Sequence, residues 1–188
     1  MSKLYYIIVL IVVLAIATLT YKLSSSIDKS PETADPSLRH DPDYFISVFN
    51  ATRYDKSGTA SYNLSAQHLE HFPDNDTIEV QHPVVKIFDK TEPVWQASST
   101  NGVGYKNTEI LHLSGNVKIE RQSPNPDQRL LLETDKLHID FTKKHARTDS
   151  KVKITGKNST INAIGMDVNL ENGTLTLKSQ ARGHYVPD

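Results

Sequence analysis

Leu111-His112-Leu113-Ser114-Gly115-Asn116-Val117-Lys118-Ile119-Glu120 alternates without a break: odd positions are apolar or glycine, even positions polar or charged. A helix advances about 100° per residue and would scatter Leu111, Leu113, Val117 and Ile119 around its circumference. A strand puts all four on one face, because its side chains repeat every second residue. The stretch is therefore a half-buried strand, dry on one side, with Gly115 midway where a bend or bulge is easy.

The same plan recurs on both sides of it. Ala66-Gln67-His68-Leu69 leads through Pro73-Asp74-Asn75-Asp76 to Val84-Val85-Lys86-Ile87, and Ala97-Ser98-Ser99-Thr100 through Tyr105-Lys106-Asn107 to Val117-Lys118-Ile119. Thr134-Asp135-Lys136-Leu137 leads through Lys143-Lys144-His145 to Val152-Lys153-Ile154. Ala163-Ile164-Gly165-Met166 leads through Glu171-Asn172-Gly173 to Leu175-Thr176-Leu177. Units spaced by about 29 to 37 residues read as stacked antiparallel hairpins.

Strands are expected at 45–49, 52–54, 62–64, 77–81, 83–89, 94–99, 102–105, 109–120, 129–133, 136–142, 146–155, 159–164, 166–171, 174–179 and 181–186. Asp55-Lys56-Ser57-Gly58 is a hairpin turn and Ser123-Pro124-Asn125-Pro126-Asp127 a loop. No stretch after residue 44 carries a capped helical stripe, so the body is all-β, a sandwich, barrel or jelly roll. Leu111, Leu113, Val117, Ile119, Leu137, Ile139, Phe141, Val152, Ile154, Val168, Leu170, Leu175 and Leu177 line one inner surface. If two sheets close over that surface it is a core; if they splay it is an apolar groove able to hold alkyl chains.

The 188 residues suffice for one domain of roughly 140 to 150 residues plus an appendage. A net charge of −1 argues against a nucleic-acid binder. The absence of cysteine excludes thiol catalysis, thiolate metal sites and disulfides.

Leu4 to Tyr21 is a run of 18 uncharged residues between Lys3 and Lys22. As a helix it would extend about 27 Å, close to a hydrocarbon core of about 30 Å. Tyr5, Tyr6 and Tyr21 sit where interface aromatics belong. The alternative is a cleaved signal peptide with Ala15-Ile16-Ala17 as its site, but the apolar run continues past it. The expected organisation is a short tail at 1–3, a transmembrane helix at 4–23, a polar proline-containing linker at 24–43 and the β domain at 44–188.

Candidate chemistry is sparse. Thr155-Gly156-Lys157 lacks the leading glycine and following helix of a phosphate loop, so it is a turn. His68 and His71 have metal-like spacing, yet on a strand they point to opposite faces and lack a third ligand. Asp74-Asn75-Asp76 lacks the glycine and distal glutamate of a calcium loop. His40, His82, His112, His138, His145 and His184 are scattered on polar faces. No nucleophile elbow or catalytic carboxylate pair is recognisable, so neither cofactor, metal nor catalytic residue is assigned.

The anchor after Met1-Ser2-Lys3, Ala66-Gln67-His68, Pro83-Val84, Phe88-Asp89-Lys90, Pro93-x-Trp95 and Leu113-x-Gly115-x-Val117 together resemble the LptC family, the C subunit of the lipopolysaccharide transport bridge, over nearly the full chain. The hairpin unit also resembles the wider OstA-type domain. The resemblance implies an open antiparallel β-jelly-roll in the periplasm, tethered to the inner membrane of a Gram-negative bacterium. It implies a non-enzymatic subunit that takes lipopolysaccharide from an ABC transporter, whose permease subunits it meets through the anchor helix and one sheet edge. It further implies handover to a soluble jelly-roll bridge protein at the C-terminal edge, and edges through which the isolated protein could dimerise. By position, Phe49, Val80, Leu175 and Tyr185 match acyl-chain contacts. Ile87, Leu113, Val117, Ile119, Ile139, Ile154, Val168 and Leu177 complete the expected lipid-binding surface. Gly165, Thr174, Thr176, Lys178, His184, Tyr185 and Val186 are the expected docking residues. The rival readings are a docking adaptor with a closed core and a membrane-tethered glycan-active enzyme.

Overall fold

Eleven strands in one antiparallel sheet make up the body of the protein, seen in a computed structural model that describes residues 16–18, 20–22, 40–89, 92–105, 108–123 and 125–186. The chain divides into two units at residue 39/40, and the second holds the sheet. The expected membrane span at 4–23 lies mostly outside the described residues. Those within it, 16–18 and 20–22, are helical, and among described residues no helix is long and apolar enough to cross a membrane.

The strands are β1 (Tyr44–Tyr54), β2 (Ala60–Phe72), β3 (Thr77–Gln81), β4 (Val84–Asp89), β5 (Glu92–Ser98), β6 (Asn101–Tyr105), β7 (Ile110–Arg121), β8 (Leu130–Asp140), β9 (His145–Thr155), β10 (Ser159–Asn169) and β11 (Leu175–Tyr185). β3 and β4 both pair with β2, end to end along one edge, and β5 and β6 share one edge of β7 in the same way. Each pair thus acts as one interrupted strand. Counted so, every strand neighbours the strands before and after it in the chain. Short polar turns between half-buried strands lead to this meander, since neighbouring hairpins are the first contacts such a chain can make.

Nearly every long strand is interrupted at its middle, and the interruptions align. β3 gives way to β4 at His82–Pro83 and β5 to β6 at Ser99–Thr100; the His82 amide donates to the Thr100 carbonyl and the Thr100 amide to the Gly115 carbonyl, each at 2.8 Å. Register shifts follow between Ser114 and Val117, Thr134 and His138, Ile164 and Met166, and Asn162 and Ile164. Positive φ marks the same line, at 56° for Val48, 78° for Gly115, 50° for Asn116, 76° for Gly165 and 51° for Gln180. Bulges bend a strand and sharpen its twist, so a row of them creases the sheet. The crease divides it into a front leaf (44–47, 68–72, β3, β6, 110–114, 137–140, 145–148, 166–169, 175–179) and a back leaf (49–54, 60–65, β4, β5, 117–121, 130–134, 152–155, 159–164, 182–185).

The fold along the crease is tight. Tyr62 lies near the start of β2 on the back leaf and Phe141 follows β8 on the front leaf, so on a flat sheet they would lie near opposite strand ends, roughly 35 Å apart. Their rings stack at 4.0 Å. Leu113, Leu137, Ile139, Met166 and Val168 of the front leaf pack with Val85, Trp95, Ile119, Leu132, Val152 and Ile154 of the back leaf in one buried cluster. All thirteen residues expected on the inner surface belong to this cluster or pack against it. Each large aliphatic side chain taken from water contributes about 1.5–3 kcal/mol, so leaf-to-leaf packing dominates the stability of the domain.

Four expected strand breaks are not breaks. The divisions at 49/52, 133/136, 164/166 and 179/181 fall inside the continuous β1, β8, β10 and β11. A bulge interrupts the alternation of apolar residues and so mimics a strand end, while the ladder runs on past it.

Val48 is a β-branched residue in left-handed backbone, 85% exposed, on strand β1, which among the described residues pairs only with β2. Left-handed backbone costs an L-residue roughly 1–2 kcal/mol, and no packing offsets it here. Val48→Gly should stabilise the domain by about 1 kcal/mol, raising the thermal midpoint by about 2–4 °C. An unchanged or lowered midpoint in a calorimetric scan would show that the crease is not strained at this position.

Candidate functional site

The expected lipid-facing residues converge between the leaves, though at different depths. Val80, Leu113, Val117, Ile119, Ile139, Ile154 and Val168 are buried. Ile87, Leu175 and Leu177 are half-buried against the main cluster, and Phe49 lies half-buried against a smaller one of Ala66, Leu69 and Val80. Tyr185, 67% exposed, stands away from both. The centre is filled by the protein's own side chains, with Val85, Leu113, Leu132, Ile139 and Met166 essentially inaccessible. Here the leaves close into a core rather than splaying into an open groove.

Unfilled space lies at the mouth, opposite the crease. A cavity of about 300 Å³ is bounded there by Thr59, Ala60, Tyr62, Ile87 and Phe88 of the back leaf and by Phe141, Lys144 and Leu170 of the front leaf. Two contacts hold this mouth shut. The Arg53 guanidinium meets the Glu109 carboxylate at 3.0 Å, and Tyr62 stacks on Phe141. Burial, and secondarily the Glu109 charge, raise the Tyr62 hydroxyl above its ordinary pKa. Hydrophobic periodicity points to the inner face but not to these pairs, since Arg53, Tyr62 and Glu109 meet only once the crease exists.

The edge strands differ from the rest. Among the described residues β1 pairs only with β2, and β11 only with β10. Both are exposed over most of their length on both faces, including Tyr44, Phe45, Ile46, Val48 and Tyr54 on β1. The expected docking residues do share one border: Thr174 precedes β11, Thr176, Lys178, His184 and Tyr185 are exposed on it, and Val186 follows, its amide donating to the Asn158 carbonyl at 2.9 Å. Gly165 sits on the neighbouring β10, where Lys178 crosses over it to bond Asp149 at 2.6 Å. That bond, and then the Lys178 charge, hold the Asp149 carboxyl below its ordinary pKa. A Cβ at Gly165 would lie 2.7 Å from Lys178 Cδ and 3.0 Å from its Cβ, on backbone already left-handed.

The histidines have structural surroundings. His71 is buried, its Nδ1 2.6 Å from Asp43 and its Nε2 3.3 Å from Asp76, with Tyr44 stacked on it. His68 points to the other face and meets Glu70 at 3.2 Å. His40 stacks on Phe72 and bonds Asp74 at 2.9 Å, which raises the pKa of the imidazole and lowers that of the carboxyl. These contacts fasten the start of β1 to the β2–β3 turn. His112 and His138 stand opposite each other on the outer face, 3.4 Å apart, and burial followed by the charges of His112 and Arg147 lowers His138.

Comparison with known proteins narrows what such a folded sheet is. The family model for LptC (lipopolysaccharide-assembly, LptC-related) matches residues 9–186. The chain belongs to the LptC-related family. It is 25% identical over 177 residues to the lipopolysaccharide export system protein LptC of Escherichia coli K12, covering 93% of this chain and 91% of that one. The LptC of Haemophilus influenzae is also 25% identical, over 77% of each chain. Among solved structures, LptH of Pseudomonas aeruginosa, described as the LptA-homologous periplasmic component of the lipopolysaccharide transport device, superposes with a TM-score of 0.52 at 12% identity. It covers 67% of this chain and 95% of its own, a likeness of fold. The LptC-related sheet is thus of the jelly-roll-like LptA type.

Gly165→Val forces Lys178 off Asp149 and strains the bulge. It should cost about 2 kcal/mol, since left-handed backbone and a close contact are penalised together. Hydrogen exchange should quicken along β11 while β4 and β7 stay protected; uniform quickening, or none, would count against a local role for this glycine.

Proposed function

We propose that this LptC-related chain is a non-enzymatic lipid-transfer subunit of the lipopolysaccharide transport bridge. Residues 4–23 anchor it in the inner membrane and the creased sheet lies in the periplasm. It accepts lipopolysaccharide from an ABC transporter, shelters the acyl chains between its leaves and passes them to a soluble jelly-roll protein docked on β11. The observation that carries this reading is an apolar interior bounded by two sheet edges that, among the described residues, have no outer neighbour. Backbone groups along such an edge are templates for strand addition from a partner, and edge-to-edge joining makes one interior continuous with the next.

The chemistry suits a conduit. Leucine, isoleucine and valine hold saturated chains without directional bonds, at about 0.8 kcal/mol per buried methylene, and such a surface selects weakly. Directionality comes from the partner that hydrolyses nucleotide. The filled centre favours a second reading, a docking adaptor whose core never opens. In the transport reading, packed side chains part to admit the acyl chains and close behind them.

Photo-crosslinking in cells separates the readings. A crosslinker at Leu175, on the inner face, should yield lipopolysaccharide adducts; one at Tyr185, on the exposed border, should yield adducts with the soluble jelly-roll protein. Protein adducts without lipid adducts would leave the adaptor standing. Neither kind would overturn the proposal.

A further inference from the structure

The cavity at the mouth opens from the surface toward the core. Leu170 on its floor belongs to the main buried cluster, and Ile87 and Phe141 pack against that cluster. The rim is polar and includes Lys144, whose ammonium lies 3.2 Å from Glu171 at the surface. Just outside, Arg53 and Glu109 bridge the leaves in a solvent-exposed pair. Greasy floor, aromatic walls from two different leaves and cationic groups at the lip suit an amphiphile inserted tail first. An alkyl chain would lie against Tyr62, Ile87 and Phe141, with an anionic head within reach of Lys144 and Arg53.

We propose that this cavity is the port through which one acyl chain of an anionic amphiphile slips sideways between the leaves, and that the stacked rings of Tyr62 and Phe141 are its gate. The inference rests on the lipid-transfer reading and adds a side entrance at the mouth, for a chain that does not arrive from the interior of an edge-joined neighbour. The rings suit a gate because each is carried by a different leaf. Parting them separates the leaves at the rim and leaves the hydrogen-bond ladder of the crease intact. Each ring is only half-buried, so the pair can exchange its mutual contact for contact with an incoming chain. The Arg53–Glu109 pair is a weak second fastening, because exposed ion pairs contribute little.

The chain has no cysteine of its own, so the gate can be locked cleanly. The full-length variant Tyr62→Cys with Phe141→Cys, bridged by oxidation or by a short bismaleimide and checked for linkage by mass, is titrated with fluorescent lipopolysaccharide. The bridged protein should bind at least tenfold more weakly than wild type, and reductant should restore binding in the disulfide form. A second variant, Tyr62→Ala, removes one half of the gate and should take up lipid several-fold faster. Wild-type binding by the bridged protein would overturn the port while leaving lipid transfer intact. Failure of both wild type and the reduced variant to bind would overturn the transfer reading and the port with it.

Discussion

A single line of bulges governs this molecule. Were the strands unbroken, the meander would be a flat or gently twisted sheet with its apolar face in water. Setting Gly115, Asn116, Gly165 and Gln180 in left-handed backbone, with strand ends at 82–83 and 99–100, places the bends on one row. The inner face then closes on itself. The main core, the mouth contacts and the cavity all follow from that closure. Because each bend keeps its ladder on both sides, the leaves are joined by continuous backbone hydrogen bonding at the crease and by side chains alone at the mouth.

Much of this was legible in the residues. Period-two alternation identified the inner face, and all thirteen residues placed on it lie in or against the core. The turns at 55–58, 73–76 and 143–144 were legible from their glycine, proline and charged residues, and the all-β class followed. The crease was not. Asp135, Gly165 and Gln180 look like ends of strands, because a local pattern cannot tell an end from a bulge; the distinction lies in pairing with strands far away in sequence. The mouth was hidden for the same reason. Arg53 and Glu109 are separated by five strands, and neither belongs to a motif. Nor did composition reveal that His71 would be buried between two aspartates, since its neighbours Asp43 and Asp76 come together only when β1 is laid against β2.

The distribution of strength in the fold bears on its use. Leu132, Met166 and Val85 are sealed near the middle, where packing is densest, whereas the rim holds stacked rings, an exposed ion pair and an unfilled cavity. A structure of this kind yields first at its mouth, because stability is lowest where buried apolar contact is least. The edge strands are the other compliant parts. Among the described residues β1 and β11 are held by one ladder each and little packing, which leaves them available to pair outward. A closed middle with yielding margins reconciles a well-packed domain with the proposed passage of lipid, since the interior need not be a standing channel.

In the proposed transport cycle the two leaves separate at the mouth about the crease. Spin labels placed at Lys56→Cys, in the β1–β2 turn of the back leaf, and at Lys143→Cys, in the β8–β9 turn of the front leaf, report that separation directly by pulsed dipolar spectroscopy. Adding lipopolysaccharide should shift the distance distribution to longer values, while a control pair within one leaf stays fixed. An unchanged distribution with lipid demonstrably bound would show that the leaves stay closed and that acyl chains do not enter between them.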